Sequence, residues 1–300
     1  MFISSTILPS YSVPGSGTLF GTDANGGNLL TVNTANGATA IVGNMGFVAP
    51  ALAVDPTTGI MYAGQGQGIP FVYTVNPADG STTFLGDSGL GFSAISAMDF
   101  DTAGTLYASV NIVGDGTTGG DNLATISKIN GLATVIGPFG TERMEAIAFA
   151  SDGTLYGATT NQGINTGELY TINTSTGQAT LVALILDASG TPHPGGIASL
   201  QFACAGTLYA GTAKGTQVGF SDLLTINPST GVFSVVGQAL SLKSLGALAS
   251  EDACRPVGGI TLEINTFSLA LAGIHSMSSF IVPIVLSSVG IVLILVRKRV

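Results

Sequence analysis

The chain has 300 residues, of which 45% are hydrophobic and only 8% are charged, and it carries 43 glycines. This hydrophobic content excludes a disordered chain, and the abundance of glycine and threonine disfavours a helical fold. The formal net charge is −9, which disfavours nucleic-acid binding because an acidic surface repels phosphate backbones.

Residues 1–16 form an N-terminal segment that differs from the rest of the chain. They include Phe2-Ile-Ser-Ser-Thr-Ile-Leu8, which could form an extra strand, but they lack the basic leader and long apolar core of an export signal. We expect that a signal peptide was lost through a misassigned start codon. The alternative is that the C-terminal segment alone directs membrane insertion.

A four-residue pattern then recurs five times, at intervals of 42, 45, 49 and 53 residues. A period of this length is typical of the four-stranded blade of a β-propeller. The pattern ends in an aromatic residue, which we expect to pack between blades. Its copies are Gly17-Thr-Leu-Phe20, Gly59-Ile-Met-Tyr62, Gly104-Thr-Leu-Tyr107, Gly153-Thr-Leu-Tyr156 and Gly206-Thr-Leu-Tyr209.

Each period contains three further strand-like pieces. An Asn-ended strand, such as Tyr170-Thr-Ile-Asn173, leads through a tight turn to an alternating Thr-rich strand. The third copy shortens this turn to Asn130-Gly131. The last piece is a run of small apolar residues, such as Ala51-Leu-Ala-Val-Asp55. Because strands crowd around a propeller axis, we place the small-residue run innermost, the Gly-Thr-Leu-Tyr strand second, the Asn-ended strand third and the Thr-rich strand outermost.

Counting the pieces predicts an all-β propeller of five four-stranded blades. The repeats begin with a second strand at Gly17 and end with an inner strand at Leu245-Gly-Ala-Leu-Ala249. The two ends therefore complete one blade together, which closes the ring and removes the exposed seam. The alternatives are an open array of sheets, or a six- or seven-bladed ring that has lost N-terminal residues.

The domain organisation follows from this count. Residues 1–16 precede a propeller over 17–253, a juxtamembrane linker over 254–276, a transmembrane helix over 277–296 and a basic tail over 297–300. The segment 277–296 is uncharged and long enough to cross a hydrocarbon core of about 30 Å. Arg297-Lys-Arg299 follows at once, so the positive-inside rule leaves the propeller outside the cell.

Two kinds of modification site are candidates if the propeller is extracellular. Cys204 and Cys254 each follow an inner strand in successive repeats, so they could form a disulfide, and the alternative is two free thiols. Asn173-Thr-Ser175 matches the acceptor pattern for N-glycosylation and falls in a turn that we expect to be exposed.

The candidate binding site lies on one face of the ring. The second-to-third and outer-to-inner connections share a face and hold all the long variable loops, whereas the opposite face holds short, stereotyped turns. Ligand-binding candidates on this long-loop face are Asp115, Asp121, Glu142, Arg143, Glu145, Asp187 and His193. Paired carboxylates such as Glu142 and Glu145 could serve acid–base chemistry or bind calcium, and solvated loop charges are the alternative. No specific motif supports calcium, and no other metal or cofactor is predicted.

The C-terminal tail resembles a known anchor. It contains Leu269-Ala-Leu-Ala-Gly273 and Ser278-Ser-Phe-Ile-Val-Pro283, followed by Ile284-Val-Leu-Ser287 and the basic end. These residues are similar to the C-terminal anchor of exported surface proteins from ammonia-oxidising archaea (Thaumarchaeota), with Asn265 where Asp is expected. The resemblance implies an archaeal cell-surface protein and no particular activity; a sorting tail that is later cleaved is the alternative. The repeats likewise resemble surface propellers of the NHL or YVTN type.

Two functions fit the sequence. The first is a membrane-anchored, non-catalytic binding or adhesion module that contacts protein or glycan through its long-loop face. The second is an extracellular carbohydrate-active hydrolase or lyase that uses carboxylates at the axial channel. A quinone-dependent oxidoreductase is a weaker hypothesis than a hydrolase or lyase, because the chain has no Trp to stack against a planar cofactor. No nucleophile motif, phosphate-binding loop or His pair indicates a catalytic residue.

Overall fold

The computed structural model describes residues 18–23, 26–66, 68–112, 120–159, 167–203, 205–213, 220–241, 244–250, 285–287 and 290–292. The chain consists of two compact units, Met1–Pro256 and Val257–Val300. Every helix or strand in the described residues is a β-strand, and there are 22 of them.

The strands of the first unit are short and evenly spaced. They are β1 (Leu19–Asp23), β2 (Asn28–Val32), β3 (Thr39–Asn44), β4 (Ala51–Val54), β5 (Met61–Gly64), β6 (Phe71–Val75), β7 (Thr82–Asp87), β8 (Ser93–Phe100), β9 (Leu106–Ile112), β10 (Gly120–Ile126), β11 (Ala133–Glu142), β12 (Met144–Phe149), β13 (Leu155–Thr159), β14 (Gly167–Ile172), β15 (Ala179–Ile185), β16 (Ile197–Phe202), β17 (Leu208–Thr212), β18 (Phe220–Ile226), β19 (Phe233–Ser241) and β20 (Leu245–Ser250).

These strands form five four-stranded antiparallel sheets, which are the blades of a β-propeller. Blade 1 has the order β20-β1-β2-β3, and blades 2 to 5 are β4–β7, β8–β11, β12–β15 and β16–β19. The five inner strands β4, β8, β12, β16 and β20 contact one another in a closed succession. The last inner strand β20 pairs with β1, so the prediction of five blades closed by the chain ends is confirmed.

One predicted turn is wrong in its details. The third strand of blade 3 ends at Ile126, and its turn has the same length as those of the other blades. Ser127 takes the position that Asn has elsewhere: its N–H donates to the Leu132 carbonyl, and its carbonyl accepts from the Gly131 N–H. Because a serine hydroxyl can cap a turn as an Asn side chain does, the geometry survives the substitution.

The inner strands alternate large and small side chains, and this alternation packs the blades together. In β4, Leu52 and Val54 point toward blade 1, whereas Ala51 and Ala53 point toward blade 3. The same alternation recurs around the ring, so each blade places large residues against small ones of its neighbour. Five buried hydrophobic clusters result, one at each interface between blades.

The aromatic residues of the second strands pack between blades, as the sequence predicts. The rings of Tyr62 and Phe100 lie 5.6 Å apart across the interface of blades 2 and 3. Tyr107 with Phe149 and Tyr156 with Phe202 repeat this contact at the next two interfaces, at 5.2 and 5.4 Å. These tilted pairs add to the apolar burial at each interface.

A partly buried ion pair also joins blades 2 and 3. The Lys128 Nζ lies 2.8 Å from the Asp55 carboxylate and 5.7 Å from the centroid of the Phe100 ring. Burial alone would raise the pKa of Asp55, but hydrogen bonds from Lys128 and Thr57 outweigh it and hold the pKa below its usual value. The ionised form is therefore the one that the fold stabilises.

The outer strands approach the next blade closely at a repeated glycine. A Cβ atom at Gly86 would overlap the Asn130 carbonyl oxygen in the turn of the following blade. Gly43, Gly137 and Gly237 meet the following blade's turn in the same way. Only a residue without a side chain allows the two backbones to approach this closely, which explains the glycine near the end of most outer strands.

In the second unit, the described residues form two short antiparallel strands, β21 (Val285–Ser287) and β22 (Gly290–Val292). At these six positions the structure differs from the predicted helix, since β-branched Val and Ile beside a Ser and a Gly suit a hairpin. The other residues of the predicted span 277–296 lie outside the described residues, so the transmembrane helix stays a prediction. Within the described residues, no helix has the length and apolar character needed to span a membrane.

We expect Gly86→Ala to lower stability by about 1–3 kcal/mol, because its methyl group would force two blades apart. Chemical denaturation of the purified chain measures this. Gly167→Ala is the matched control, since a Cβ there meets its nearest atoms at 3.4 Å, which is ordinary contact. Equal stability of the two variants would contradict the account of the outer-strand glycine.

Candidate functional site

Alternating strand directions divide the four kinds of connection between two faces of the ring. All second-to-third and outer-to-inner connections lie on the long-loop face. Three of the predicted long loops have their tips, residues 113–119, 160–166 and 214–219, outside the described residues. The fourth, residues 186–196 between β15 and β16, is described in full.

Below this face, the axis of the ring is closed by a plug of apolar side chains. Each inner strand contributes one residue to the plug. In blade 2 this residue is Leu52, which pairs with Ala63, the residue after the aromatic Tyr62, and the other four blades use the equivalent position. Each is at most 3% exposed. The plug residues are Leu52, Met98, Ile147, Leu200 and Leu248.

The plug leaves a cavity of only about 10 Å³, which could hold at most about one water molecule. The rest of its lining is small or apolar and consists of Pro50, Ala97, Ala198, Ser199 and Ala247. An axial channel with carboxylates, as the hydrolase alternative requires, is therefore not present among these lining residues.

The mouth of the axis above the plug is formed by bulges in the inner strands. Ser96, Glu145, Ala198 and Gly246 are each skipped by the pairing register of their strand, and Pro50 takes the corresponding place before β4. Bulges redirect single side chains and occur often beside functional sites. Glu145 is the only ionisable side chain among these five.

Glu145 is half-buried, and its environment changes its acidity. Burial raises the pKa of its carboxyl, and the positive charge of Arg143 offsets part of that effect. Arg143 alone connects β11 to β12, and its φ of 56° makes it the one residue other than glycine with a positive φ in the described chain. This left-handed conformation costs an arginine about 1–2 kcal/mol.

The predicted cluster Glu142-Arg-Met-Glu145 is therefore only partly assembled at the mouth. Met144 is fully buried between blades 3 and 4, and the Glu142 side chain lies outside the described part of the structure, as does that of Asp121. Asp115, Cys204 and Cys254 also lie outside the described residues. The predicted paired carboxylates and the disulfide stay predictions.

A second inner-strand carboxyl, Asp99, is one of the few that the sequence offers to the hydrolase alternative, and the structure buries it at the interface of blades 3 and 4. It is 7% exposed and accepts hydrogen bonds from the Phe100 N–H at 2.9 Å and from the Phe149 N–H of blade 4 at 2.7 Å. Burial raises the pKa of Asp99 to about 7, although both N–H donors oppose the shift. The equivalent position is alanine in three other inner strands, at Ala53, Ala148 and Ala249, and glutamine in β16, at Gln201.

In the described long loop, Asp187 organises a turn. Its Oδ1 accepts hydrogen bonds from the Ser189 hydroxyl at 2.6 Å and from the Ser189 and Thr191 N–H groups at 2.8 Å. The Ser189 hydroxyl is the main reason that the pKa of Asp187 is lowered. These contacts give Asp187 a structural role in the loop, whether or not it also binds a ligand.

The structure buries His193 instead of presenting it on the loop surface. Its Nε2 lies 3.0 Å from the Asp222 carboxylate, and its Nδ1 accepts a hydrogen bond from the Gly195 N–H at 3.1 Å. These partners assign the neutral tautomer with the proton on Nε2. Both ring nitrogens are occupied, so the His193–Asp222 pair fixes the loop onto blade 5 and has no nitrogen available to a ligand.

Between this loop and the start of β19 lies an open groove of about 550 Å³. Its walls combine the hydroxyls of Ser189, Thr191 and Ser234 with the apolar surfaces of Phe233 and Val235. Such a mixture of hydroxyl and apolar groups can contact a polar ligand that also has apolar faces.

The glycosylation candidate Asn173 is exposed, and it lies on the short-turn face. Its side-chain oxygen accepts hydrogen bonds from the Ser175 and Thr176 N–H groups, at 2.9 and 3.2 Å. Whether it is modified stays a prediction. No group of three or more His, Cys, Asp or Glu side chains that could hold a metal ion occurs within the described residues.

No family model and no curated protein matches the chain. Among solved structures, a nidogen/laminin complex is similar at 16% identity over 79% of this chain and 82% of that chain, with a TM-score of 0.49. A gluconolactonase from Xanthomonas campestris is similar at 13% identity over 75% and 73%, with a TM-score of 0.49. A luciferin-regenerating enzyme is similar at 10% identity over 76% of each chain, with a TM-score of 0.45. Similarity at this level carries no argument about function.

We expect Asp99 to reduce stability as pH rises from about 4 to about 7. Its folded-state pKa, about 7, exceeds the usual aspartate value of 3.8, so in this window the folded chain holds a proton that the unfolded chain releases. The loss is at most about 4 kcal/mol and ends above the folded-state pKa. Unfolding free energies of wild type and Asp99→Asn across this range measure it.

The variant should show a flatter pH profile than the wild type. Asp101→Asn is the control, because Asp101 is a carboxyl in an adjacent turn where its Oδ1 caps the Ala103 and Thr105 N–H groups, as an Asn oxygen also can. Parallel profiles for wild type and Asp99→Asn would show that Asp99 is ionised throughout.

Proposed function

We propose that the chain is a membrane-anchored cell-surface propeller that acts as a non-catalytic binding or adhesion module through its long-loop face. The observation that carries this proposal is the apolar plug. Five side chains close the axis and leave no room for a substrate beside the inner strands, where the hydrolase alternative needs paired carboxylates. Binding then falls to the loops above the plug.

The long-loop face offers suitable chemistry for protein or glycan. The groove beside residues 187–194 presents hydroxyls over an apolar floor, and its loop is fastened by the buried His193–Asp222 pair. Fastening a loop before binding lowers the entropy lost when a ligand orders it. By sequence, three further long connections belong to this face, which favours a partner larger than a small molecule.

The location rests on the sequence. The uncharged segment 277–296 followed by Arg297, Lys298 and Arg299 favours a single membrane span with the C-terminus in the cytoplasm. Outside that tail, five basic residues accompany 17 acidic ones, which suits a domain exposed on the outer side. The resemblance of the tail to archaeal surface anchors points the same way.

One observation favours the alternative of a carbohydrate-active hydrolase or lyase. Glu145 stands at the mouth of the axis with a raised pKa, as a general acid would, beside the strained Arg143. A second carboxylate would have to come from the loops above the mouth. The proposal and this alternative predict different behaviour of Glu145→Gln.

We expect replacement of residues 113–119, 160–166 and 214–219 by Gly-Ser segments of equal length to weaken binding of the full chain at least about tenfold. Binding is measured on arrays of oligosaccharides and of purified cell-surface proteins. The control carries Thr102→Ser, Ser151→Gly and Ala205→Ser, three exposed changes on the short-turn face. Glu145→Gln should bind as the wild type does.

Two results would oppose the binding proposal. Equal binding by the loop variant and the control would remove these three loops from recognition and leave the groove beside residues 187–194 as the part of this face that could still bind. Release of sugar products by the wild type, abolished in Glu145→Gln, would establish the hydrolase or lyase instead.

We expect the full chain to stay with membranes through carbonate washing and a chain truncated after residue 276 to become soluble, because 277–296 would provide the only span. The amount of chain in pellet and supernatant measures this.

Addition of protease to intact cells should digest the propeller, whereas a tag after Val300 should survive. Equal release of both chains by carbonate would contradict the anchor.

A further inference from the structure

The outer rim of the ring repeats one exposed apolar side chain in every blade. The five residues pair opposite equivalent positions of the third strands, so they mark the same height on each blade. A small exposed residue, Ala, Thr or Ser, precedes each of them. The rim residues are Ile41 at 69%, Phe84 at 58%, Val135 at 43%, Leu181 at 52% and Val235 at 49% exposed.

The outer strands carry little of the protection usual for exposed sheet edges. Natural edge strands are commonly guarded by Lys, by other charges or by Pro. From their first residue to the glycine or alanine after the bulge, none of the five strands contains a charged residue or a proline. Within this stretch their protective feature is a bulge, at Val42 in β3 and at the matching residue of each other blade. Beyond it, β7 ends in Asp87 and β11 contains Pro138 and Glu142.

The bulge decides which contact the rim can make. It interrupts the ladder next to the exposed residue, so continuous addition of a foreign strand is disfavoured. The apolar side chain and the preceding small residue still project outward. The rim therefore offers side-chain contacts repeated five times around the ring.

We infer that this rim is a self-association surface through which copies of the chain contact one another side by side. The distribution of charge selects a second copy as the occupant. The chain is acidic, with described carboxylates such as Asp101 and Asp152 on the short-turn face and Glu145 and Asp187 on the long-loop side. In blade 2 the exposed carboxylates of Asp79 and Asp87 flank the rim residue Phe84. Two copies can meet at the rim residues of the other four blades without bringing these carboxylates together, whereas face-to-face contact would oppose like charges.

The size of the contact sets its strength. Two convex rims bury only one or two apolar side chains from each copy, far below the roughly 1,200 Å² of a stable interface. A single contact is therefore weak, in the micromolar-to-millimolar range. Because each ring carries five such positions, several weak contacts can act together once copies are concentrated, for example on a surface.

This inference does not depend on the long-loop face or on its ligand. Among the rim residues, Val235 also lines the groove beside residues 187–194, whereas the other four do not. The loop variant and the rim variant have no substitution in common, so either proposal can fail its test while the other passes. A heterologous partner at the rim is the competing occupant, and it would leave the pure chain monomeric.

The test is sedimentation velocity of the purified full chain from about 1 μM to about 1 mM, the range in which a small interface should form. We expect the wild type to associate with increasing concentration. The rim variant carries Thr at all five rim positions, and its apparent dissociation constant should be at least about tenfold weaker. The substitutions are Ile41→Thr, Phe84→Thr, Val135→Thr, Leu181→Thr and Val235→Thr.

A control with five equally exposed apolar residues off the rim separates this effect from general hydrophobicity. It should associate as the wild type does, and both variants keep the C-terminal segment. The control substitutions are Val48→Thr, Ile60→Thr, Ile69→Thr, Phe92→Thr and Ile129→Thr. A wild type that stays monomeric throughout, or a control weakened as much as the rim variant, would overturn the inference. Thermal unfolding checks that each variant is folded.

Discussion

The convergence of five inner strands on one axis is the constraint on which the rest of this structure depends. Strands that meet at an axis leave little volume between neighbouring sheets. The chain meets this limit by directing large side chains of each inner strand toward one neighbour and small ones toward the other, as Leu52 and Ala53 do in blade 2. Uniformly large residues would force the blades apart, and uniformly small ones would leave cavities.

The plug is a consequence of this repeated alternation. Because the same register recurs in every blade, the large residues reach the axis at one height and fill it. The polar exceptions, Asp99 and the bulge residue Glu145, therefore lie below and above an apolar layer and do not share a channel. Side chains that could bind a ligand or partner therefore lie at the ends of the axis, in the loops and at the rim, where the sequence can vary without disturbing the packing between blades.

The sequence predicted those features that repeat locally. The number of blades, their closure and the aromatic contacts follow from the Gly-Thr-Leu-Tyr period, because each copy must form the same unit. Ser127 was misjudged, since the turn tolerates serine in place of asparagine. The burial of His193 was beyond prediction, because Asp222 reaches it only through packing of a loop on a strand 29 residues away. The sequence shows Asp99 as an inner-strand carboxyl, but its hydrogen bond from the Phe149 N–H depends on packing between blades.

The candidate site was harder to predict than the fold for a physical reason. Whether Glu145 faces the mouth depends on a bulge, and a bulge shifts side-chain direction without leaving a pattern in the sequence. The same holds at the rim, where Val42 turns inward and leaves Ile41 exposed.

One extra residue in an outer strand thus serves two purposes: it interrupts the edge against strand addition and turns an apolar side chain toward solvent. A ring built in this way presents different chemistry in different directions, with carboxylates on its faces and apolar groups on its perimeter, and these directions define which partners can approach from where.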